Sequence, residues 1–72
     1  MRNEEFMLTG EHVALCDLLK LAGIVTSGGE GKARVAQGDV RVDGRPESRK
    51  TAKIRAGQVV ECDGVRVLVK AA

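Results

Sequence analysis

The sequence predicts an α+β fold in which two N-terminal helices pack on a small, mainly antiparallel sheet. Apolar residues recur at helical spacing within residues 11–22, whereas apolar and polar residues alternate between residues 40 and 70. Asp-Gly pairs at 43–44 and 63–64 are typical of tight hairpin turns. With 72 residues, the chain has room for one domain with a thin core.

The first helix is predicted from four apolar residues at i, i+3, i+4 and i+7, namely Leu15, Leu18, Leu19 and Ala22. They predict an amphipathic helix over residues 11–22, which Gly23 ends. Upstream, the apolar run at 6–8 predicts an edge strand, and downstream Ile24 and Val25 are expected to enter the core.

The second helix is predicted over about residues 28–37, with Gly38 at its left-handed C-terminal cap. Ser27 and Glu30 form the S-x-x-E pattern of a capping box. Three glycines fall in the first turn, and each lowers helix stability by about 0.5–1 kcal/mol relative to alanine. They are Gly28, Gly29 and Gly31. We therefore expect another helix or a ligand to approach this backbone closely.

The remainder of the chain predicts strands. Val40 and Val42 share one face before the turn at 43–44. A polar run over 45–53 then crosses over, and its proline at position 46 excludes a central strand position. Gly57 precedes a further strand, and after the second Asp-Gly turn residues 65–70 alternate between two faces.

Positive charge is concentrated in the middle of the chain. The net charge is only +2, but residues 27–57 hold eight of the twelve cations and carry +4. The start of a helix presents unpaired N–H groups and a partial positive charge, which favour an anion. These features favour a surface for a polyanion. A solvated cationic face and a protein-interaction adaptor, whose basic face meets an acidic partner, are the alternatives.

The sequence does not predict catalysis, a metal site or a cofactor. His12 is the only histidine, and Ser27 is better explained as a helix cap than as a nucleophile. Cys16 and Cys62 are interpreted as small buried apolar residues in a reducing cytoplasm. No run reaches the length of a membrane span, so we expect a cytoplasmic protein with no membrane partner.

These elements, in this order, resemble a known family. The helix ends in Leu-x-x-x-Gly at 19–23, and Ser-Gly-Gly-x-x-Lys follows at 27–32. Val-x-Val-Asp-Gly stands at 40–44, and Gly-Gln-Val-Val at 57–60. The chain is similar, over about residues 5–70, to the RNA-binding domain named after small-subunit ribosomal protein four. This domain is also called the αL motif, and the chain most resembles its small stand-alone bacterial, YbcJ-like members.

The resemblance implies that the whole chain, 1–72, is a single RNA-binding domain, and it implies an RNA surface on the second helix start and the hairpin. The matching positions are Ser27, Gly28, Gly29, Lys32, Arg41, Asp43, Gly44, Arg49, Lys50 and Lys53. Arg34 and Arg45 lie within the same two runs and complete the expected surface. The family usually has alanine at position 31 and often asparagine at 43, where a carboxylate would repel phosphate.

Phe6 is the only aromatic residue, so bases cannot stack on an aromatic sheet face. We therefore expect contacts to phosphates, 2′-hydroxyls and RNA shape, which favours structured RNA such as ribosomal or transfer RNA. The expected setting is a monomer acting on RNA, with the ribosome or a ribosomal subunit as a candidate partner.

Overall fold

A computed structural model describes residues 2–72 of the chain. The elements in order are β1 (Arg2–Leu8), β2 (Val13–Ala14), α1 (Leu15–Leu21), α2 (Gly28–Ala36), β3 (Arg41–Val42), β4 (Arg45–Pro46), β5 (Lys53–Ile54), β6 (Val59–Cys62) and β7 (Val65–Ala71). The α+β class and the two helices preceding most of the sheet are confirmed.

Five strands form the main sheet in the order β1-β7-β6-β3-β4. Three of its four pairings are antiparallel, and β1 pairs with β7 in parallel. The apolar run at 6–8 therefore does belong to an edge strand, which extends upstream to Arg2. Strands β2 and β5 form a separate antiparallel pair, and Pro46 lies on the opposite edge strand, β4, where no further ladder partner is needed.

The hydrophobic core lies between the two helices and one face of the sheet. Alternate residues of β6 and β7 point into it, as the sequence pattern predicts, while Glu61 and Arg66 lie on the outer face. Both cysteines are buried and free. The core comprises Leu8, Leu15, Leu18, Leu19, Val25, Val35, Val40, Ile54, Val60, Cys62, Val65, Val67 and Val69.

Helix α1 begins at Leu15, four residues later than the start of the predicted 11–22 region. The apolar stripe itself starts at Leu15, and the position one turn earlier is the exposed Glu11. Residues Val13 and Ala14 instead pair with β5. The helix ends as predicted before Gly23, whose φ is 78°. Beyond it Val25 is buried and Ile24 packs against the core.

Both Asp-Gly turns have the predicted geometry. Asp43 and Gly44 have φ values of 53° and 81°, and Asp63 and Gly64 have values of 53° and 74°. Positive φ at both central residues defines the type I′ turn that matches the twist of a two-residue hairpin. Among residues 2–72, no helix is long and apolar enough to cross a membrane.

Candidate nucleic-acid interface

The start of α2 has the capping geometry that the sequence predicts. The backbone N–H of Glu30 donates to Ser27 Oγ over 3.2 Å. The Glu30 carboxylate in turn accepts from the N–H of Thr26 over 3.1 Å, one residue upstream of the usual capping-box donor. The carbonyl of Ser27 accepts from Gly31 N–H. Within the described chain, the N–H groups of Gly28 and Gly29 have no acceptor.

The fold does not require glycine at either of these two positions. A Cβ built on Gly28 meets no atom within 4 Å, and one on Gly29 meets only Ser27 Oγ at 3.9 Å. Neither residue has the positive φ that would favour glycine. The backbone at the start of α2 is therefore open to an incoming group.

Gly31 differs from its two neighbours because the other helix contacts it. A Cβ on Gly31 would lie 2.8 Å from the backbone oxygen of Cys16 in α1. Of the two causes that the sequence left open for the glycine-rich turn, a neighbouring helix therefore applies to Gly31. Gly28 and Gly29 remain unexplained by packing.

The crossover, defined as residues 49–53, supplies hydrogen-bond acceptors to the first N–H groups of α1. The N–H of Cys16 donates to the carbonyl of Lys50 over 3.0 Å, and the N–H of Leu15 donates to the carbonyl of Ala52 over 2.9 Å. These carbonyls replace a side-chain cap, which Ala14 cannot supply. Because Cys16 contacts both Lys50 and Gly31, the start of α2 and the crossover lie on either side of it.

The hairpin β3–β4 presents Arg41 and Arg45. Arg41 lies opposite Pro46 on one side and Glu61 on the other, on the outer face of the sheet. Beyond β4 the chain follows β3 only as far as Glu47, whose N–H donates to Val40 O over 3.0 Å. The polar run over 45–53 therefore stays beside β3 only in its first residues, and the crossover attaches to α1 and β2.

Asp43 at the hairpin turn has both carboxylate oxygens occupied. Oδ1 accepts from the N–H of Val59 over 2.9 Å, and Oδ2 accepts from Nε2 of Gln58 over 3.2 Å. The N–H of Asp43 also donates to Val59 O over 2.8 Å. The carboxylate is therefore engaged with Gln58 and the first residue of β6 rather than free at the turn tip.

Most cations of the predicted surface have no carboxylate partner among residues 2–72. Of its seven lysines and arginines, five form no ion pair within 4.0 Å in the part of the chain that the structure describes. These five are Lys32, Arg41, Arg45, Lys50 and Lys53, and all are exposed. Outside the predicted surface, Lys20 and Arg55 are likewise without an ion pair among residues 2–72.

Two arginines of the predicted surface are engaged within the protein. Arg34 pairs with Asp63 in the β6–β7 turn and with Asp39 at 3.5 Å, which ties the end of α2 to the sheet. Arg49 forms a bidentate contact with the carboxylate of Glu47. Its Nε donates to Oε2 and its Nη2 donates to Oε1, each over 3.1 Å. These hydrogen bonds, together with that from the Arg49 N–H, lower the pKa of Glu47.

Two depressions of the surface lie away from the α2 start. The larger has a volume of about 730 Å³ on the outer sheet face and is lined by Glu4, Glu5 and Arg66 among others. The smaller, of about 310 Å³, brings Arg41 beside three carboxylates, those of Asp39, Glu61 and Asp63. The three carboxylates beside Arg41 disfavour a phosphate in the smaller depression.

The sequence predicts no contact for the side chain of Gln58 or for the backbone of Arg55. Gln58 accepts from the N–H of Arg55 through Oε1 over 2.7 Å while it donates to Asp43, 15 residues away. Its position beside a turn glycine is visible in the sequence, but its partner is not. Arg55 was counted only in the charge of the middle segment.

The fold and this surface together define a class: a small α+β domain that presents an open helix start and unpaired cations. The chain belongs to the S4 domain family, whose match spans residues 6–70. The family assignment inferred from the sequence motifs is thereby confirmed.

Individual relatives have the same organisation. YbcJ of Escherichia coli is 53% identical over 60 residues, covering 83% of this chain and 86% of YbcJ. Its solution structure, described as revealing an αL motif involved in RNA binding, aligns with a TM-score of 0.70 at 46% identity over 99% of this chain and 89% of that one.

Two further relatives differ in size from one another. The Bacillus subtilis protein named "Probable ribosome maturation protein RlbA" is 37% identical over 54 residues, which cover 75% of this chain and 76% of that protein. A tyrosine–tRNA ligase of Burkholderia thailandensis is 41% identical over 59 residues, which cover 82% of this chain but 14% of the ligase. The same domain thus occurs both in small proteins and as one segment of a large enzyme.

Proposed function

We propose that residues 1–72 act as a single, non-catalytic RNA-binding domain, as a monomer in the cytoplasm. The domain contacts structured RNA through the backbone at the start of α2, the hairpin β3–β4 and the crossover. Family membership and the αL motif described for YbcJ support RNA as the ligand. The similarities to a protein named for ribosome maturation and to a tyrosine–tRNA ligase support ribosomal or transfer RNA as the class of target.

The observation that carries this proposal is the open start of α2. Gly28 and Gly29 have free N–H groups and unfilled space beside their Cα atoms. A phosphate oxygen can approach such a backbone closely, and the helix dipole favours its charge. Lys32 is one turn inside the same helix and is exposed. In this proposal the backbone donors and the cation of Lys32 act on one anion.

A second line of support is the position of the crossover. The backbone of Cys16 contacts both Lys50 and Gly31, so the crossover and the start of α2 are neighbours of the same residue. Two neighbouring groups of cations suit the repeating phosphates of a nucleic acid better than a single small anion. The scarcity of aromatic residues favours recognition of phosphates and shape over stacking on bases.

The experiment is purification of the tagged chain from cells, with and without nuclease treatment, combined with crosslinking and sequencing of bound RNA. We expect a defined set of structured RNAs to crosslink and the associated proteins to be released by nuclease. The tag alone is the control. A nuclease-resistant protein complex without crosslinked RNA would support an adaptor that binds an acidic protein partner instead.

A further inference from the structure

One side chain connects the hairpin turn to a distant part of the chain. The Gln58 amide donates from Nε2 to Asp43 Oδ2 over 3.2 Å and accepts from Arg55 N–H at Oε1 over 2.7 Å. Both ends of the amide are therefore used, and reversing it would break both hydrogen bonds. The orientation of this side chain is thus fixed by its partners on either side.

The turn is also held by backbone groups. Val59 and Asp43 exchange two hydrogen bonds, one from Val59 N–H to Oδ1 over 2.9 Å and one from Asp43 N–H to Val59 O over 2.8 Å. Asp43 has a φ of 53°, a conformation that few residues other than glycine, asparagine and aspartate adopt readily. Its two carboxylate oxygens consequently face residues 58 and 59.

The geometry points to Gln58 as a positioning residue for the hairpin in RNA binding, an inference that rests on the proposed function. Gln58 holds the carboxylate of Asp43 against the start of β6. The turn tip between Arg41 and Arg45 then approaches phosphates without a mobile negative charge. Without the amide, Oδ2 loses its partner while Oδ1 keeps the Val59 N–H, so the carboxylate is held on one side only and presents more negative charge to the RNA, where it repels phosphate.

The test is a double-mutant cycle measured with a synthetic, fully paired RNA stem–loop. Gln58→Met keeps an unbranched side chain of similar length but removes the amide. We expect it to weaken RNA affinity about three- to tenfold while the melting temperature changes by about 4 °C or less. Asp43→Asn tolerates the same φ and keeps Oδ1 for Val59, but it carries no charge, and its Nδ2 cannot accept from the Gln58 amide. In that background Gln58→Met should change affinity less than about twofold.

The outcomes separate this role from a general effect on stability. An equal loss of affinity in both backgrounds, or no loss in either, would overturn the positioning role. If the wild-type chain binds no RNA at low salt, the proposed function fails. Hydrogen exchange then tests whether Gln58 holds the Asp43 carboxylate in place. Faster exchange of the Val59 amide in Gln58→Met supports this hold, and unchanged exchange overturns it.

Discussion

A Cβ on Gly31 would lie 2.8 Å from the backbone oxygen of Cys16, so α1 and α2 meet backbone to backbone. The same Cys16 donates its N–H to the carbonyl of Lys50 over 3.0 Å. This pair of contacts links the start of α2 to the crossover through Cys16. An alanine at position 31, which the resemblance gives as usual in the family, would require the helices to separate.

Gly31→Ala should therefore destabilise the fold. Overpacking against a rigid backbone costs about 1–3 kcal/mol, and the gain in helix propensity offsets up to about 1 kcal/mol of it. The matched control is Gly29→Ala, which fills open space and should raise the free energy of unfolding by about 0.5–1 kcal/mol. Urea unfolding measures both. Equal stability of the two variants would contradict the backbone contact.

Lys32→Ala should weaken binding to a structured RNA by on the order of 1 kcal/mol, about fivefold, because a free cation beside the open helix start is lost. The free energy of unfolding should change by less than about 0.5 kcal/mol, since the side chain is exposed. Lys20→Ala, which removes an exposed cation of α1, is the control and should leave RNA affinity unchanged.

Ser27→Ala tests the cap separately. Loss of the hydrogen bond from Glu30 N–H should lower the free energy of unfolding by about 1 kcal/mol. Measured by urea unfolding, this loss should exceed that of Lys32→Ala. If Lys32→Ala and Ser27→Ala lose stability equally, Lys32 is a structural residue and the proposed anion site at the start of α2 is wrong.

Charge reversal in the crossover tests its part in binding. The double variant Arg49→Glu with Lys50→Glu should weaken RNA binding at least as much as Lys32→Ala. The slope of log affinity against log salt should flatten by about one to two units, as expected when phosphate contacts are lost. Unchanged affinity and slope, with the onset of self-association, would show that these cations protect an exposed edge from aggregation instead.

The pair Glu47–Arg49 gives a pH-dependent prediction. Hydrogen bonds from Arg49 lower the pKa of Glu47, so the folded protein binds a proton there less readily than the unfolded chain does. The resulting stabilisation is present above the unfolded pKa and is lost as pH falls through the folded pKa. In a carboxyl NMR titration, Arg49→Gln should raise the pKa of Glu47, whereas Lys50→Gln should not. A Glu47 titration that is insensitive to Arg49→Gln would refute the contact.

The local elements of the fold were predictable because their signals lie within a few residues. Ser27 caps α2 by accepting from the N–H of Glu30, three residues away. Asp43 and Asp63 each precede the glycine that completes a type I′ turn. The start of α1 was placed too early because a distant segment supplies its cap. The N–H of Leu15 donates to the carbonyl of Ala52, and no residue near Leu15 in the sequence indicates this hydrogen bond.

The candidate site was predictable only in part for the same reason. The motif runs identified its cations, but not which of them are already paired: Arg34 meets Asp63, 29 positions further along, across the fold. Gln58 likewise gains a role only once the hairpin returns beside it. Such contacts depend on the packing of elements remote in sequence, which spacing and composition do not encode directly.

The salt dependence of RNA affinity tests the central claim most directly. Five cations of the surface have no ion pair among residues 2–72. With about four to six phosphates neutralised at about 0.7–0.9 each, the log–log slope for an RNA stem–loop should be about −3 to −5. Lys32→Ala should flatten this slope by about one unit and Lys20→Ala should not. An affinity independent of salt, or no binding to such an RNA at low salt, would contradict the account.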